Sequence, residues 1–176
     1  MKPEPAKFTV DEVNSCMWGV NCGPGALAGV LDLTLDQVRP HMGDFEKKHY
    51  TNIKLMYSAL QSLGKKYKKL DKLYPYHGLV RIQWCGPWTE PKVDPRSRLR
   101  HTHWIGVHSS AVDEVWIFDI NCICVGGWVS QLEWELKVVP WLLPQVEPKA
   151  SGDWYPTHIL ELDGKVWAEI PKGGEK

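Results

Sequence analysis

The stretch HWIGVHSSAVDEVWIFD, from His103 to Asp119, predicts a β-hairpin with its loop centred on Ala111. In that register residue 103 lies directly opposite residue 119. Because side chains alternate along a strand, His103 and Asp119 then share one face. Opposed residues have Cβ atoms about 4.5–5.5 Å apart, so the carboxylate can accept a hydrogen bond from the imidazole. A register error of one residue would separate the two side chains.

The segment CGPGALAGVL, from Cys22 to Leu31, predicts a helix with Pro24 in its first turn. Cys22 then lies at the helix N-terminus, where the partial positive charge favours a thiolate. Gly23 leaves room for a substrate carbonyl to approach the backbone, and the N–H of Cys22 can donate a hydrogen bond to an oxyanion.

Cys22, His103 and Asp119 are together the residue types of a thiol-dependent catalytic site. A carboxylate fixes the tautomer and orientation of a histidine, which can then act as general base for a cysteine nucleophile. Each part also has a simpler interpretation: a lone cysteine often packs as a small apolar residue, and a histidine beside an aspartate can be a satisfied buried polar pair. The chain order of cysteine, histidine and aspartate favours the catalytic interpretation.

Three motifs resemble those of papain-like cysteine peptidases: NCGP at 21–24, HWIGV at 103–107 and WIFD at 116–119. The resemblance spans roughly residues 14 to 122. It is closest to the branch that resembles the double-glycine leader peptidase domains of bacteriocin-exporting ABC transporters, with related small phage or bacterial proteins. It implies an α+β, papain-like fold in which N-terminal helices pack on a mostly antiparallel sheet. It also implies that Cys22 is the nucleophile, His103 the general base and then acid, and Asp119 the orienting residue.

The sequence departs from that family at one point. The family usually has a glutamine shortly before its cysteine to complete the oxyanion hole, and here no glutamine occurs before Gln37. Asn14 or Asn21 is the expected substitute beside Gly23, unless the backbone alone forms the hole. Loss of one such donor costs about 10²–10³ in rate, so the fold could instead serve a transferase or a non-catalytic role.

A zinc site is one alternative. His101 and His103 form an H-x-H pair, and Cys122 and Cys124 form a C-x-C pair, each with two side chains on one face of a strand. Such a site would use His103, and C-x-C lacks the C-x₂-C spacing that is common in structural zinc sites. The thiol site is therefore favoured, with no metal and no cofactor expected.

A binding module is the other alternative. The chain has 10 tryptophans, and exposed ones such as Trp84, Trp88 or Trp154 would contact a partner protein, peptide or sugar. Packing of these rings beneath loops is the simpler expectation.

Composition limits the classes that remain. The 176 residues fit one domain, with residues 1–8 as a loose lead-in and 171–176 as a loose tail. The 21 basic and 21 acidic residues cancel, which argues against a nucleic-acid partner. No apolar run of membrane-spanning length or signal peptide is present, so a cytoplasmic protein with reduced thiols at its five cysteines is expected.

Further elements follow from local signals. Capping residues at Thr34, Asn52 and Ser130 predict helices that end near Pro40, at Gly64 and near Val139, the last because Pro140 follows. Strands are expected at 79–84, 103–108, 114–120 and 157–162. The connection 86–100 is long enough to border a substrate cleft, and the lysine-rich run 65–72 is expected to be a solvated turn or strand edge.

The sequence therefore predicts a papain-like thiol hydrolase that cleaves a peptide, isopeptide or other amide bond in a peptide or protein substrate. An acyltransferase or transglutaminase-like enzyme on the same three residues is the alternative from within the enzyme class.

Overall fold

The computed structural model describes residues 1–16, 18, 21–71, 74–99, 101–109 and 114–163. Six strands in this part of the chain form one antiparallel sheet in the order β1-β6-β2-β3-β4-β5. Their bounds are β1 Tyr67–Leu70, β2 His77–Trp84, β3 Thr102–Ser109, β4 Val115–Phe118, β5 Trp128–Ser130 and β6 Trp154–Leu162.

Most of the helices are short. They are α1 Val10–Ser15, α2 Cys22–Leu31, α3 Leu35–Val38, α4 Phe45–Lys48, α5 Ile53–Ser62, α6 Pro95–Arg98, α7 Gln131–Glu133 and α8 Val139–Val146. Three 3-10 helices, Arg39–His41, Pro87–Thr89 and Ile120–Val125, and a π-helical turn, Trp134–Val138, complete the described elements. Helices and an antiparallel sheet together confirm the α+β class that the sequence predicts.

The sheet carries a hydrophobic core on each face. One core joins α2 and α5 to the sheet through side chains such as Leu27, Met56 and Trp104. The other core joins the helical segment 131–146 to the opposite face. Successive residues of β3 point to opposite faces of the sheet. Trp104 therefore belongs to the first core, and Ile105 belongs to the second. His103 points to the same face as Ile105.

Helix α2 lies unusually close to the sheet because glycines face it. A Cβ atom at Gly29 would lie 2.4 Å from the ring of Phe118, and one at Gly106 would lie 2.4 Å from Val30. A Cβ at Gly25 would lie 2.2 Å from Ile120. These contacts leave no room for a side chain at the three positions, so glycine there allows α2, with Cys22 at its start, to pack directly against these neighbours.

Local capping signals locate three helices correctly. Thr34 and Gln37 form the reciprocal capping box of α3, and Asn52 accepts a hydrogen bond from the N–H of Leu55 at the start of α5. Ser130 caps α7 in the same way. The expected helices at these sites are confirmed, because a cap satisfies backbone N–H groups that would otherwise lack a partner.

The predicted end of the last of these helices is wrong. Helical structure continues through a π-helical turn and α8 to Val146, past the proline that was expected to stop it. The wider π-helical turn directly before Pro140 accommodates a residue that has no N–H and a bulky ring.

The hairpin register is also wrong, by two residues. Gly106 pairs with Phe118 and Ser109 with Val115, so the same register would place residue 105, not residue 103, opposite Asp119. An even shift preserves the face to which every side chain points. His103 and Asp119 are therefore diagonal neighbours on one face. The expected loop centre, Ala111, lies outside the described residues.

Four further expectations concern the ends of the chain and the segments between elements. In segment 1–8, expected as a loose lead-in, Phe8 is buried and the N–H of Ala6 donates to the carbonyl of Gly126, while most of the other residues are exposed. The connection 86–100 is not structureless, since it contains Pro87–Thr89 and α6. The lysine-rich run forms the edge strand β1, as the strand-edge alternative predicts. The expected tail, 171–176, lies outside the described residues.

Within the described ranges, each helix is too short or too polar to cross a membrane.

Candidate active site

The end of β3 and the start of α2 bring a thiol to the edge of the sheet. Pairing between β3 and β4 stops at Gly106, so the first residues of β3 extend beyond β4. Cys22, the first residue of α2, lies beside this extension, and its side chain is partly buried. The imidazole of His103 and the backbone N–H of Trp104 both lie close enough to favour the thiolate form of Cys22 and so lower its pKa.

The imidazole is held from its other side by a carboxylate. His103 Nε2 lies 2.9 Å from Asp119 Oδ2, and the carboxylate has no exposure to solvent. Because Asp119 accepts at this nitrogen, Nε2 carries the proton and the interaction with Cys22 falls to Nδ1. The structure thus brings together Cys22, His103 and Asp119, the three residues that the sequence predicts as catalytic.

Asp119 accepts hydrogen bonds from three other donors. Trp134 Nε1 lies 2.9 Å from Oδ2, while the backbone and side-chain amides of Asn121 lie 3.0 and 2.8 Å from Oδ1. Each carboxylate oxygen therefore receives two N–H groups. This arrangement compensates the cost of burying the charge and leaves the carboxylate no freedom to rotate.

Aromatic rings cover the histidine and its carboxylate. The ring of Trp84 stacks on His103 with centroids 6.1 Å apart, and Trp134 stacks on Trp84 at 6.0 Å. Trp154 meets Trp134 edge to face. These rings exclude water from one side of the imidazole, which strengthens its interaction with Asp119.

The pKa values of the three groups favour a thiolate–imidazolium pair. Burial alone would raise the pKa of the Cys22 thiol, but the hydrogen bond and charge of His103 outweigh it and hold the pKa below 9.0. Burial would lower the pKa of His103, but the charge and hydrogen bond of Asp119, with a contribution from Cys22, raise it to about 10. Burial opposes ionisation of Asp119, but His103, Trp134 and Asn121 lower its pKa to about 2.

The three residues expected to form the oxyanion hole lie in different surroundings. Asn14 is exposed on α1. Asn21 occupies the N-cap position of α2, where its side chain makes no capping hydrogen bond. Gly23 is buried beside Thr51, whose Oγ1 would lie 2.1 Å from a Cβ atom at that position.

Thr51 is a residue that sequence reasoning missed. Its hydroxyl is buried and has no hydrogen-bond partner in the described structure, while its carbonyl accepts from Trp104 Nε1 at 2.8 Å. A buried hydroxyl without a partner calls for an explanation. No local pattern in the sequence marks this threonine, because its neighbour Gly23 is distant along the chain.

A cavity of about 510 Å³ opens beside the thiol. One lining residue is Arg81, which lies within the buried and mostly apolar strand β2, and another is Leu99 from the connection 86–100. The complete lining is Cys22, Tyr50, Thr51, Asn52, Arg81, Leu99, Thr102 and Trp104.

The residues of the zinc alternative have other partners. His101 Nδ1 lies 2.7 Å from Glu147 Oε2, and its ring stacks on Trp88 with centroids 3.7 Å apart. His103 is bonded to Asp119. Within the described ranges, His, Cys, Asp and Glu side chains form no group of three or more that could hold a metal.

The tryptophans of the binding-module alternative are not the exposed rings that it expects. Trp84 is only 2% exposed, and Trp88 and Trp154 are partly buried. Trp88 also donates from Nε1 to the carbonyl of Trp84 at 2.7 Å. The exposure that the binding-module alternative requires is therefore not found at Trp84, because this ring covers the imidazole of His103.

No protein-family model matches the chain, and no curated protein matches it either. The function proposed below is therefore argued from the geometry of the site.

We expect Cys22 to be the first thiol alkylated by iodoacetamide at neutral pH, because its pKa lies below 9.0 while burial raises those of Cys85 and, to about 12, Cys122. His103→Ala removes the charge that lowers the Cys22 pKa. Each unit by which that pKa rises lowers the thiolate fraction at neutral pH about tenfold, and the rate falls by less because a thiolate of higher pKa is more nucleophilic. Intact-mass and peptide mass spectrometry measure both effects. Faster labelling of any other cysteine, the exposed Cys124 included, would contradict this assignment.

Asp119→Asn is expected to reduce stability, because all four groups that face the carboxylate are N–H donors and an amide nitrogen must oppose at least one of them. The expected loss of unfolding free energy is about 1–3 kcal/mol. The variant should also lower the pKa of His103, visible in the pH dependence of Cys22 alkylation. Urea unfolding measures the first effect, with Asp36→Asn at an exposed carboxylate as control. Unchanged stability together with an unchanged pH profile would contradict the role of the charge.

Proposed function

We propose that the chain is a papain-like thiol hydrolase that cleaves an amide bond through a thioester intermediate. The observation that carries the proposal is the juxtaposition of three groups: His103 Nε2 lies 2.9 Å from Asp119 Oδ2, and the same imidazole lowers the pKa of Cys22 at a helix N-terminus. A thiolate paired with an imidazolium is an activated nucleophile. The order of the residues along the chain and their placement on α2, β3 and the residue after β4 support the papain-like assignment.

The reaction balances with these groups alone. The Cys22 thiolate attacks the amide carbonyl and forms a tetrahedral oxyanion. The C–N bond then breaks as the Nδ1 proton of His103 moves to the leaving amine, which leaves a thioester on Cys22. Water attacks the thioester while His103 takes up its proton, and the acid product leaves as the thiolate–imidazolium pair is restored.

Thr51 is proposed as the side-chain donor of the oxyanion hole. Its hydroxyl is buried without a partner beside Gly23, and the N–H groups of the first helical turn have no partner within the helix. A hydroxyl and a backbone N–H that converge beside the thiol can stabilise a developing oxyanion. Thr51 would then take the place of the glutamine that the family usually has before its cysteine.

The function is tested with p-nitrophenyl acetate, which acylates reactive thiols. We expect one equivalent of p-nitrophenolate in a burst, an acetyl group on Cys22 by mass spectrometry, and slower turnover afterwards. Cys22→Ala should abolish the burst, and Cys85→Ala, which removes a partly buried thiol elsewhere, should leave it unchanged. With a peptide library as amide substrate, the rate should fall at high pH as His103 deprotonates near its pKa of about 10. A burst that survives in Cys22→Ala would refute the proposal.

Addition of hydroxylamine to the same assay separates hydrolysis from acyl transfer. A hydrolase releases mainly acetate, whereas an acyltransferase forms mainly the hydroxamate, because an amine acceptor then competes well with water for the thioester.

Thr51→Val keeps the shape of the side chain and removes its hydroxyl. We expect the acylation rate to fall about 10²–10³-fold, because one oxyanion donor is lost. Alkylation of Cys22 by iodoacetamide should stay unchanged, since that reaction forms no oxyanion. Thr51→Ser, which keeps the donor, is the matched control and should retain most of the acylation rate. Equal losses in acylation and alkylation would show that Thr51 has only a structural role.

A further inference from the structure

Arg81 lies in the middle of the sheet and lines the cavity beside Cys22. In the ladder it pairs with Trp104 on β3 and with His158 on β6, and it is only 9% exposed. Its guanidinium lines the cavity together with Thr102 and Cys22. An arginine at the centre of a sheet is uncommon, because burial of its charge is costly unless a partner compensates it.

The hydrogen-bond partners that the described residues supply to the Arg81 guanidinium are neutral. Nη2 lies 3.1 Å from Thr102 Oγ1 and 3.4 Å from the carbonyl of Leu99, and Nε is buried without a hydrogen-bond partner. Among the described residues, no carboxylate lies within ion-pair distance of Arg81. His158, its neighbour on β6, has its pKa lowered by burial and by the arginine charge. The guanidinium remains protonated in any such setting, and no carboxylate of the described residues pairs with it.

The cavity offers this charge to a ligand. None of its eight lining residues is acidic, and Arg81 is the single cationic side chain among them. Cys22 and Arg81 line the same cavity, so the charge faces the space beside the nucleophile. A volume of about 510 Å³ accommodates a group the size of one or two amino-acid residues next to the thiol.

We propose that Arg81 is a specificity-determining residue that binds a carboxylate on the substrate, close to the amide carbonyl that Cys22 attacks. The inference rests on the proposed function, since it assigns the substrate class of the same site. A guanidinium matches a carboxylate with two parallel hydrogen bonds, and its Nε–H is a donor that has no partner in the described structure. The carboxylate belongs either to an acidic side chain or to the end of a short peptide, two sources with the same chemistry.

The test compares alkylating probes that differ only in charge. Bromoacetylglycine carries a carboxylate, and bromoacetylglycinamide is its neutral counterpart. We expect the ratio of Cys22 alkylation rates, charged over neutral, to exceed the ratio measured with glutathione by about tenfold to a hundredfold, the range of a charge-assisted hydrogen bond. High salt should reduce the ratio. Bromoacetyl-aspartic acid α-amide distinguishes the two sources, because its carboxylate is on a side chain.

Arg81→Gln should return the ratio to that of glutathione. Because the ratio compares two probes on the same variant, any change in the ionisation of Cys22 affects both rates equally and cancels. Arg81→Lys, which keeps the charge, should retain part of the preference. Arg39→Gln, at an arginine that does not line the cavity, should change nothing. These charge-dependent ratios would not move if Arg81 only anchored Leu99 to the sheet.

The outcomes separate the two proposals. If the wild-type ratio equals that of glutathione while Cys22 reacts rapidly with the neutral probe, the role of Arg81 is refuted and the proposed hydrolase stands. If neither probe reacts preferentially at Cys22, the proposed function itself fails. The wild-type ratio decides the question even if the Arg81→Gln variant does not fold.

Discussion

Asp119 carries a negative charge at a position with no exposure to solvent, and the four hydrogen bonds that it accepts make that burial tolerable. The donors come from β3, from the 3-10 helix after β4 and from the π-helical turn. One carboxylate therefore connects three separate elements and at the same time orients the imidazole of His103. Stability and the orientation of the imidazole depend on the same interaction here, because a carboxylate that lost its donors would destabilise the fold and release the histidine.

Much of the site follows from local signals. The start of α2 at Cys22 is visible in the sequence because glycine and proline mark a helix start, and the face shared by His103 and Asp119 follows from the period of a strand. The register itself is two residues off, since hydrophobic alternation is unchanged by an even shift and cannot distinguish the two pairings. The diagonal contact at 2.9 Å thus preserves the predicted pair through a different geometry.

The remainder of the site could not be predicted from local patterns. Thr51 approaches Gly23 through the packing of a loop on α2, and no periodicity encodes that contact. Arg81 is recognisable in the sequence as the one charged residue in the predicted strand LVRIQW at 79–84. Its neighbours across the sheet, however, are known only from the strand order. The bond from Trp134 to Asp119 depends on the π-helical turn, which also carries the helix past Pro140 and has no local signal in the sequence.

The order of the strands determines when the sheet can be completed during synthesis on the ribosome. β6 inserts between β1 and β2, so β1 has no neighbour and β2 has a bare edge until Trp154–Leu162 has been synthesised. Pairings between such distant segments form late and slowly. A nascent chain shorter than this therefore holds an unfinished sheet with an unpaired edge on β2.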